Sequence, residues 1–231
     1  MNTKIFCDIA ELKAIAKFNS KKLVKGFTTN PTLMRKSGVR NYTKFAKNLV
    51  KKVSKPLSFE VFSDDLNGML VQAEKINSWG RNIYVKIPIV NSKGKSTISL
   101  IKKLDKKNIK LNITAVFTIS QVNKILKTIK KKSDIIISIF AGRIADTGRD
   151  PIPLIKQSIR LKKKFKNVKI LWASTREVLN VYQANKIKCD IITVPNSILK
   201  KLSLRNKNLL KYSIETSKDF FLDGKKSKFN I

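Results

Sequence analysis

Tyr84-Val85-Lys86-Ile87-Pro88 places one lysine inside a short apolar stretch that is typical of a strand and ends at a proline. A lysine in such a run either faces a polar site or carries its charge at a cost. Burial disfavours the charged ammonium of a lysine and can bring its pKa from ~10.4 to roughly 7–8, where a useful fraction is free amine. We therefore interpret Lys86 as a candidate nucleophile. The alternative is a strand-end lysine that extends to solvent, and the stretch by itself favours that alternative.

Short runs rich in β-branched residues recur roughly every 20 to 35 residues along the chain. Such runs predict strands. They cover residues 5–9, 24–28, 57–62, 83–87, 111–116, 135–140, 168–173 and 191–194. Between them lie amphipathic patterns such as residues 120–126, where apolar side chains recur at the spacing of a helix. This alternation predicts parallel βαβ units, and eight strands in 231 residues favour a closed (β/α)8 barrel over an open doubly wound sheet.

We expect a single domain over residues 1–231, with residues 204–231 forming a helical tail of that same domain. The length of 231 residues and the hydrophobic content of 42% are sufficient for one sizeable core. Gly-x-Gly does not occur in the sequence, so neither a dinucleotide-binding fingerprint nor a phosphate-binding P-loop is present.

The composition limits the chemistry that the chain can perform. Histidine is absent, which removes histidine-based triads, most zinc sites and the usual general base at neutral pH. Acid–base work therefore falls to carboxylates, lysine, tyrosine or water. Cys7 and Cys189 are too few for a disulfide framework and lack metal-ligand spacing, so we expect buried free thiols in a reducing compartment. We find no signal-like segment and no apolar run near the ~20 residues of a membrane span, so we expect a cytoplasmic protein without a membrane partner.

The net charge of +35, from 50 Lys+Arg against 15 Asp+Glu, raises nonspecific attraction to nucleic acid and other anionic surfaces. The lysines are spread along the whole chain in pairs and triplets, such as residues 51–52, 130–132 and 162–164. Most of these groups close amphipathic stretches, where cations suit helix ends and a solvated face. A single basic arm or an aromatic-interleaved basic strip is missing, so we expect no specific nucleic-acid partner.

Polar residues interrupt the apolar runs near their carboxyl ends, which is where a barrel of this class builds its active site. Each has a simpler explanation when it is taken alone. Asp8 can cap the next helix, Asn30 can hold a turn before Pro31, and Arg143 can pair with Asp146. The same pattern recurs on seven strands, and one shared pocket explains this better than chance does. To this pocket we assign Asp8, Thr28, Asn30, Glu60, Lys86, Asn112, Thr114, Ser138, Arg143, Ser174 and Arg176.

Seven motifs in a fixed order give the chain a family resemblance that covers nearly its whole length. They are Asp8-Ile9-Ala10, Gly26-Phe27-Thr28-Thr29-Asn30-Pro31-Thr32-Leu33, Val85-Lys86-Ile87-Pro88, Asn112-Ile113-Thr114-Ala115-Val116-Phe117, Ser138-Ile139-Phe140-Ala141-Gly142-Arg143-Ile144, Ala173-Ser174-Thr175-Arg176 and Thr193-Val194-Pro195. On these motifs the sequence resembles the transaldolase family, in particular its short-chain bacterial branch.

The resemblance implies chemical roles for four residues. Lys86 matches the lysine that forms a Schiff base with a ketose phosphate and retains a three-carbon dihydroxyacetone unit after cleavage. Asp8 matches the carboxylate that handles the proton of a substrate hydroxyl. Glu60 and Thr114 match groups that hold a catalytic water. The resemblance implies neither a metal nor a cofactor, in keeping with a sequence that lacks histidine.

The resemblance also implies how the substrate is bound. The residues matching those that bind the dihydroxyacetone unit are Asn30, Asn112 and Ser138, and those matching the phosphate-binding set are Arg143, Arg176 and Ser174. An arginine fork suits phosphate geometry and keeps its charge at neutral pH. Phe140 matches the phenylalanine of transfer enzymes, where the related fructose-6-phosphate aldolases carry tyrosine. The sequence departs from the family pattern at Trp172 and Glu177, which we expect to lie close to the phosphate end.

We therefore expect a transaldolase that moves a dihydroxyacetone unit from sedoheptulose 7-phosphate or fructose 6-phosphate to an aldose phosphate. The near alternative is a fructose-6-phosphate-type aldolase that releases free dihydroxyacetone. An alternative of another class is a non-catalytic basic barrel that binds nucleic acid. We also expect a homo-oligomer whose partners are sugar phosphate substrates.

Overall fold

Eight parallel strands close into a barrel in chain order, which confirms the predicted (β/α)8 architecture. The computed structural model describes residues 1–227. The strands are β1 Lys4–Asp8, β2 Val24–Thr28, β3 Leu57–Glu60, β4 Ile83–Pro88, β5 Leu111–Val116, β6 Ile135–Ile139, β7 Val168–Trp172 and β8 Ile191–Pro195. The closing contact joins β1 to β8, with Asp8 opposite Pro195. The carboxyl ends of all eight strands therefore meet at one end of the barrel.

Helices follow the strands, as the βαβ pattern requires. They are α1 Leu12–Asn19, α2 Pro31–Lys36, α3 Tyr42–Lys52, α4 Leu66–Asn77, α5 Ile98–Lys106, α6 Ile119–Thr128, α7 Ala141–Ala145, α8 Ile152–Leu161, α9 Leu179–Lys186, α10 Asn196–Lys201 and α11 Leu209–Ser227. Helix α6 contains the amphipathic stretch at residues 120–126 and begins with a capping box between Thr118 and Gln121. Short 3₁₀ segments occupy Lys162–Lys164 and Leu202–Leu204.

The strand boundaries agree with the sequence pattern to within two residues, and the largest difference is at β3. This strand ends at Glu60, whereas the apolar run predicts strand as far as residue 62. The backbone N–H groups of Phe62 and Ser63 donate to the side-chain oxygen of Gln72 on α4, at 2.7 and 2.9 Å. Because the chain has turned toward α4 at this point, these residues leave the ladder with β4.

The barrel interior has an apolar layer below the strand ends. Its members are Phe6, Tyr84, Ile136, Leu171, Ala173 and Ile191, and Phe140 packs against them. Gly26 on β2 makes room for the Phe6 ring, because a Cβ at position 26 would lie 2.6 Å from that ring. The Tyr84 hydroxyl donates to Asp134 at 2.8 Å. This apolar layer therefore closes the barrel interior below the polar residues at the strand ends.

Within residues 1–227 the chain divides into two compact units, Met1–Leu199 and a second that begins at Lys200. The first contains the complete barrel. In the second, α11 is a helix of 19 residues with no buried side chain. Large apolar residues exposed on it are Leu209, Leu210, Tyr212, Ile214, Phe220, Phe221 and Leu222. Across residues 1–227, the structure has no helix that is both long and apolar enough to span a bilayer.

Candidate active site

The strand register makes neighbours of several predicted chemical residues at the carboxyl ends of the strands. Glu60 on β3 is opposite Lys86 on β4, and Lys86 is opposite Asn112 on β5. On the two strands that precede β3, Asp8 on β1 is opposite Thr28 on β2. Residues that are opposite each other in neighbouring strands project from the same face and lie about 5 Å apart. Register alone therefore makes these side chains neighbours.

Lys86 is buried in the barrel with polar partners on two sides. The residue is 8% exposed. Its Nζ lies 3.1 Å from Oε2 of Glu60 and donates to the backbone oxygen of Thr29 at 3.2 Å. The structure thus excludes the alternative in which this lysine extends to solvent. It also adds a counter-charge, because the Glu60 carboxylate lies within hydrogen-bonding distance of the amine and is placed to accept a proton from it.

The carboxylate of Asp8 is held by hydrogen bonds from β2 and the turn after it. Thr28 Oγ1 donates to Oδ1 of Asp8 at 2.7 Å, and Asn30 Nδ2 lies 3.4 Å from Oδ2. The Thr28 hydroxyl also bonds that of Thr193 on β8, at 2.6 Å. Because Thr28 donates its proton to the carboxylate, Thr193 is the donor of this second bond. Asp8 is therefore held by a chain of hydroxyls that spans three strands.

Burial raises the pKa of Asp8 above the usual value of an aspartate. The positive charge of Lys86 and the hydrogen bond from Thr28 act in the opposite direction, while the charge of Glu60 adds to the increase. A buried carboxyl group with a raised pKa is suited to taking up a proton and returning it during a reaction.

Asn30 serves local structure and the site at once. Its Oδ1 accepts the backbone N–H of Leu33 at 2.9 Å, which caps the amino terminus of α2, and Pro31 occupies the first helical position. The Nδ2 group is thereby turned toward Asp8. Asn30 thus caps the helix with its side-chain oxygen and faces the pocket with its side-chain nitrogen.

Asn112 and Ser138 belong to a polar network that is closed to solvent. Asn112 Nδ2 donates to Oγ of Ser58 at 3.0 Å, and its Oδ1 accepts the hydroxyl of Ser138 at 2.6 Å. All three residues are buried. Such a satisfied network fixes the rotamer of Asn112 beside Lys86. Ser58 is a member that the sequence analysis did not identify.

Thr114 is buried, and its hydroxyl has no partner among the atoms of residues 1–227. Buried hydroxyls of this kind usually bond an ordered water. The next residue, Ala115, has a φ of 56°, and the register between β5 and β6 shifts at this point. A left-handed backbone at a residue with a Cβ costs about 1–3 kcal/mol and is typical of functional sites.

Aromatic rings and one arginine form the rim beyond β6. The ring centroids of Phe117 and Phe140 are 5.7 Å apart, and the guanidinium carbon of Arg143 lies 5.5 Å from the centroid of Phe140. Arg143 is exposed on α7. The Phe140 ring therefore links the apolar layer of the barrel to a cation at its mouth. The sequence analysis did not assign Phe117 a role.

Gly142 allows α7 to approach the end of β7 closely. A Cβ at position 142 would lie 1.6 Å from the carbonyl oxygen of Ser174, so any larger residue requires the backbone to move. Ser174 itself has a φ of 62°. Arg143 follows the glycine and Arg176 follows the strained serine. This contact thus sets the spacing between the two segments that carry the predicted phosphate-binding arginines.

Arg176 forms the ion pair with Asp146, at 3.0 Å from Nε and 2.5 Å from Nη2. The hydrogen bonds of Arg176, followed by its charge and that of Arg143, hold the pKa of Asp146 below its usual value. The sequence left open an ion pair between Arg143 and Asp146. In the structure the carboxylate of Asp146 is hydrogen-bonded to Arg176 instead.

Trp172 lies two residues before Ser174, and its ring is buried outside the barrel interior. Trp172 alternates along β7 with Leu171 and Ala173, which belong to the interior layer. Its ring is therefore directed to the opposite face of the strand and is buried there. Glu177 is exposed and lies one residue beyond Arg176.

Both cysteines are buried free thiols, as predicted. Burial, with a smaller contribution from the charge of Asp8, raises the pKa of Cys7 to about 12. Burial likewise raises the pKa of Cys189 to about 12. Neither supplies a thiolate at neutral pH, so Lys86 is the nucleophile that the geometry favours over the two cysteines.

Comparisons with known proteins show the family of the chain. A sequence model of the family described as transaldolase/fructose-6-phosphate aldolase matches residues 5–230. A probable transaldolase of Nitrosopumilus maritimus is 35% identical over 202 residues, covering 86% of each chain. One from Thermoplasma volcanium is 37% identical over 206 residues, or 86% of this chain and 87% of the relative. One from a Thermoanaerobacter species is 31% identical over 200 residues, or 86% and 88%. With the barrel and the strand-end residues in place, the chain belongs to the transaldolase/fructose-6-phosphate aldolase family.

Proposed function

We propose that the protein is a transaldolase, which transfers a dihydroxyacetone unit from a ketose phosphate to an aldose phosphate through a Schiff base on Lys86. One observation carries this proposal. Lys86 is buried at the carboxyl end of β4, and its Nζ lies 3.1 Å from Oε2 of Glu60. The positive charge of Lys86 also acts on the carboxylate of Asp8, where it opposes the increase in pKa that burial causes. An amine that contacts one carboxylate and acts electrostatically on a second has both the nucleophile and the proton acceptors that imine chemistry needs.

The first half of the reaction attaches the donor to the enzyme. Lys86 passes a proton to Glu60 and attacks the carbonyl carbon of the ketose phosphate with the free electron pair of Nζ. Proton transfers then release the carbonyl oxygen as water and leave a protonated imine. The amide of Asn112 and the hydroxyl of Ser138 are ordered beside this position and are suited to bonding the hydroxyls of the three-carbon unit.

Asp8 performs the proton transfer in the cleavage step. It takes the proton from the substrate hydroxyl next to the bond that breaks, and that oxygen becomes the carbonyl of the departing aldose phosphate. The electron pair of the broken carbon–carbon bond moves into the imine and leaves an enamine on Lys86. An acceptor aldehyde then reverses these steps, and hydrolysis of the new imine releases the product ketose. The raised pKa of Asp8 supports its use in both directions.

Thr114 and Glu60 are proposed to hold the water that enters and leaves during these steps. The buried hydroxyl of Thr114, which has no partner atom within residues 1–227, supports this role because it is satisfied when a water is bound. The phosphate end is assigned to Arg143, Arg176 and Ser174, since both arginines lie at the mouth of the barrel on neighbouring segments. We expect the reaction to need neither a metal nor a cofactor, and this stays a prediction.

Transfer is distinguished from simple aldol cleavage by supplying fructose 6-phosphate with and without erythrose 4-phosphate. We expect sedoheptulose 7-phosphate to form only with the acceptor, and little free dihydroxyacetone to form without it. Rapid release of free dihydroxyacetone without the acceptor would instead support the aldolase. Absence of turnover in both reactions, together with nucleic-acid binding that persists at high salt, would support the non-catalytic alternative.

We further propose that the protein is a cytoplasmic homo-oligomer of the short-chain branch. The relatives are covered over 86–88% of their length by a chain of 231 residues, so they are of similar size. The apolar side chains exposed along α11 support an oligomer, because a surface of this kind is normally covered. Light scattering of the purified protein tests this, and a mass near 26.3 kDa would contradict it.

A further inference from the structure

Asp146 is the group that holds the guanidinium of Arg176. It follows α7 directly, and both of its carboxylate oxygens are used by Arg176, one by Nε and one by Nη2. Arg176 lies just beyond the end of β7 on an exposed loop. The ion pair therefore ties together the segment after β6 and the segment after β7, which are the two segments that carry the proposed phosphate-binding residues.

The geometry of this pair leaves part of the guanidinium group available. An arginine side chain has five N–H donors, and the bidentate contact with Asp146 uses one on Nε and one on Nη2. The second donor on Nη2 and one donor on Nη1 form another edge, which is the fork that a phosphate can bind in bidentate fashion, and the second donor on Nη1 lies on the third edge. Asp146 thus occupies one edge of Arg176 without blocking the other.

A long exposed side chain loses considerable rotamer freedom when a ligand fixes it. An arginine that is already held by a carboxylate has met part of this cost before the ligand arrives. The two side chains are each 49% exposed, and ion pairs with this exposure contribute little to folding stability. The restriction of the Arg176 side chain therefore explains the ion pair better than a contribution to folding stability does.

We propose that Asp146 is a positioning residue that holds Arg176 ready for the phosphate group of the substrate and so favours phosphorylated over unphosphorylated sugars. This inference rests on the proposed function of Arg176. It is opposed by one alternative, in which Asp146 competes with phosphate for the guanidinium group and weakens binding. The two differ in sign, because removal of a positioning group raises the Michaelis constant for a sugar phosphate and removal of a competitor lowers it.

The test compares fructose 6-phosphate with fructose as donors, with erythrose as the unphosphorylated acceptor and sedoheptulose as the measured product. For Asp146→Ala we expect the Michaelis constant for fructose 6-phosphate to rise roughly 3- to 10-fold, which corresponds to the ordering of one long side chain. The turnover number with fructose 6-phosphate should change less than twofold. The specificity constant for fructose should also change less than twofold. Asp146→Glu, which keeps the carboxylate, should recover part of the loss.

Two further variants make the result specific. In Arg176→Ala protein the Asp146→Ala change should have no additional effect, because the group that it positions is gone. Glu74→Ala is the matched control, since Glu74 pairs with Lys107 on the surface at the far end of α4, before β4 begins. This control removes the same charge and should leave both Michaelis constants unchanged.

The outcomes that would overturn the inference are separate from those that would overturn the phosphate site. A Michaelis constant for fructose 6-phosphate that stays unchanged or falls in Asp146→Ala would overturn the positioning role. An equal loss with fructose would do the same, because it would indicate general damage to the site. If Arg176→Ala itself does not weaken fructose 6-phosphate selectively, the proposed phosphate site is wrong and the inference fails with it.

Discussion

Replacing Asp8 by asparagine should reduce activity and increase stability in the same variant. The substitution keeps the shape of the side chain and an oxygen that accepts the bond from Thr28, which lies at 2.7 Å in the wild type. It removes the charge and the ability to take up a proton. The two effects are measured separately, so the prediction tests the proton-transfer role and the electrostatic description of the site together.

The expected loss of activity follows from the role of a positioned acid–base group. Such groups contribute roughly 10²–10⁴-fold to the rate, so turnover with fructose 6-phosphate and erythrose 4-phosphate should fall by that factor. Imine formation on Lys86 should stay detectable because the nucleophile and Glu60 are untouched. Near-normal turnover would show that Asp8 only caps a helix or ends a strand.

The expected gain in stability follows from the direction of the pKa change. Burial raises the pKa of Asp8 in the folded protein, so ionised Asp8 costs stability at neutral pH. Below the unfolded-state pKa of about 3.9 the residue is protonated in both states, and the cost disappears. The variant should therefore equal the wild type near pH 3 and become the more stable protein as pH rises through the raised pKa. Every tenfold change in the dissociation constant corresponds to about 1.4 kcal/mol.

Urea unfolding of both proteins between pH 3 and pH 8 measures this difference. Asp105→Asn is the matched control, because Asp105 is a buried carboxylate outside the site that accepts the backbone N–H of Lys130 at 2.9 Å and the hydroxyl of Ser133. We expect Asp105→Asn to lose stability while folded enzyme retains its turnover. A loss of stability in Asp8→Asn at neutral pH would refute the electrostatic reasoning.

Two more substitutions test the site. Thr114→Val should lower turnover about 10- to 100-fold. It should not lower the melting temperature, because the buried hydroxyl bonds nothing within residues 1–227. A large loss of stability would show a structural role for Thr114. Phe140→Tyr should raise the ratio of free dihydroxyacetone to transferred product, because a phenol can donate a proton to the bound enamine and a phenyl ring cannot. Phe117→Tyr, on the neighbouring ring at 5.7 Å, is its control, and equal ratios in all three proteins would show that Phe140 only packs the rim.

Much of the fold was predictable because its signal is local. A β-branched run such as residues 111–116 matches β5 in full, and the polar residue at each strand end follows from the way barrels place their sites. Strand ends were less predictable where a distant side chain decides them, as Gln72 does for Phe62. The face of β7 on which Trp172 lies was not predicted, because the inward or outward parity of this short strand was not assigned residue by residue.

The chemical core of the site was predictable, whereas its partners across strands were not. Lys86 is conspicuous in sequence because a charge interrupts an apolar run. Ser58 and Thr193 are ordinary polar residues until the barrel closes and places them beside Asn112 and Thr28. The alternative that paired Asp146 with Arg143 names the wrong arginine, because proximity in sequence does not determine which guanidinium group the carboxylate meets in space.

Reduction of the enzyme with borohydride in the presence of fructose 6-phosphate, followed by peptide mapping, tests the central claim most directly. Among the other lysines, Lys55 is the informative internal control, because burial lowers its pKa and makes it the other candidate for adventitious reaction. The account predicts a reduced three-carbon or sugar adduct on Lys86, an unmodified Lys55, and no adduct in Lys86→Met protein. An active enzyme that carries the adduct on another lysine, or that carries none, would contradict it.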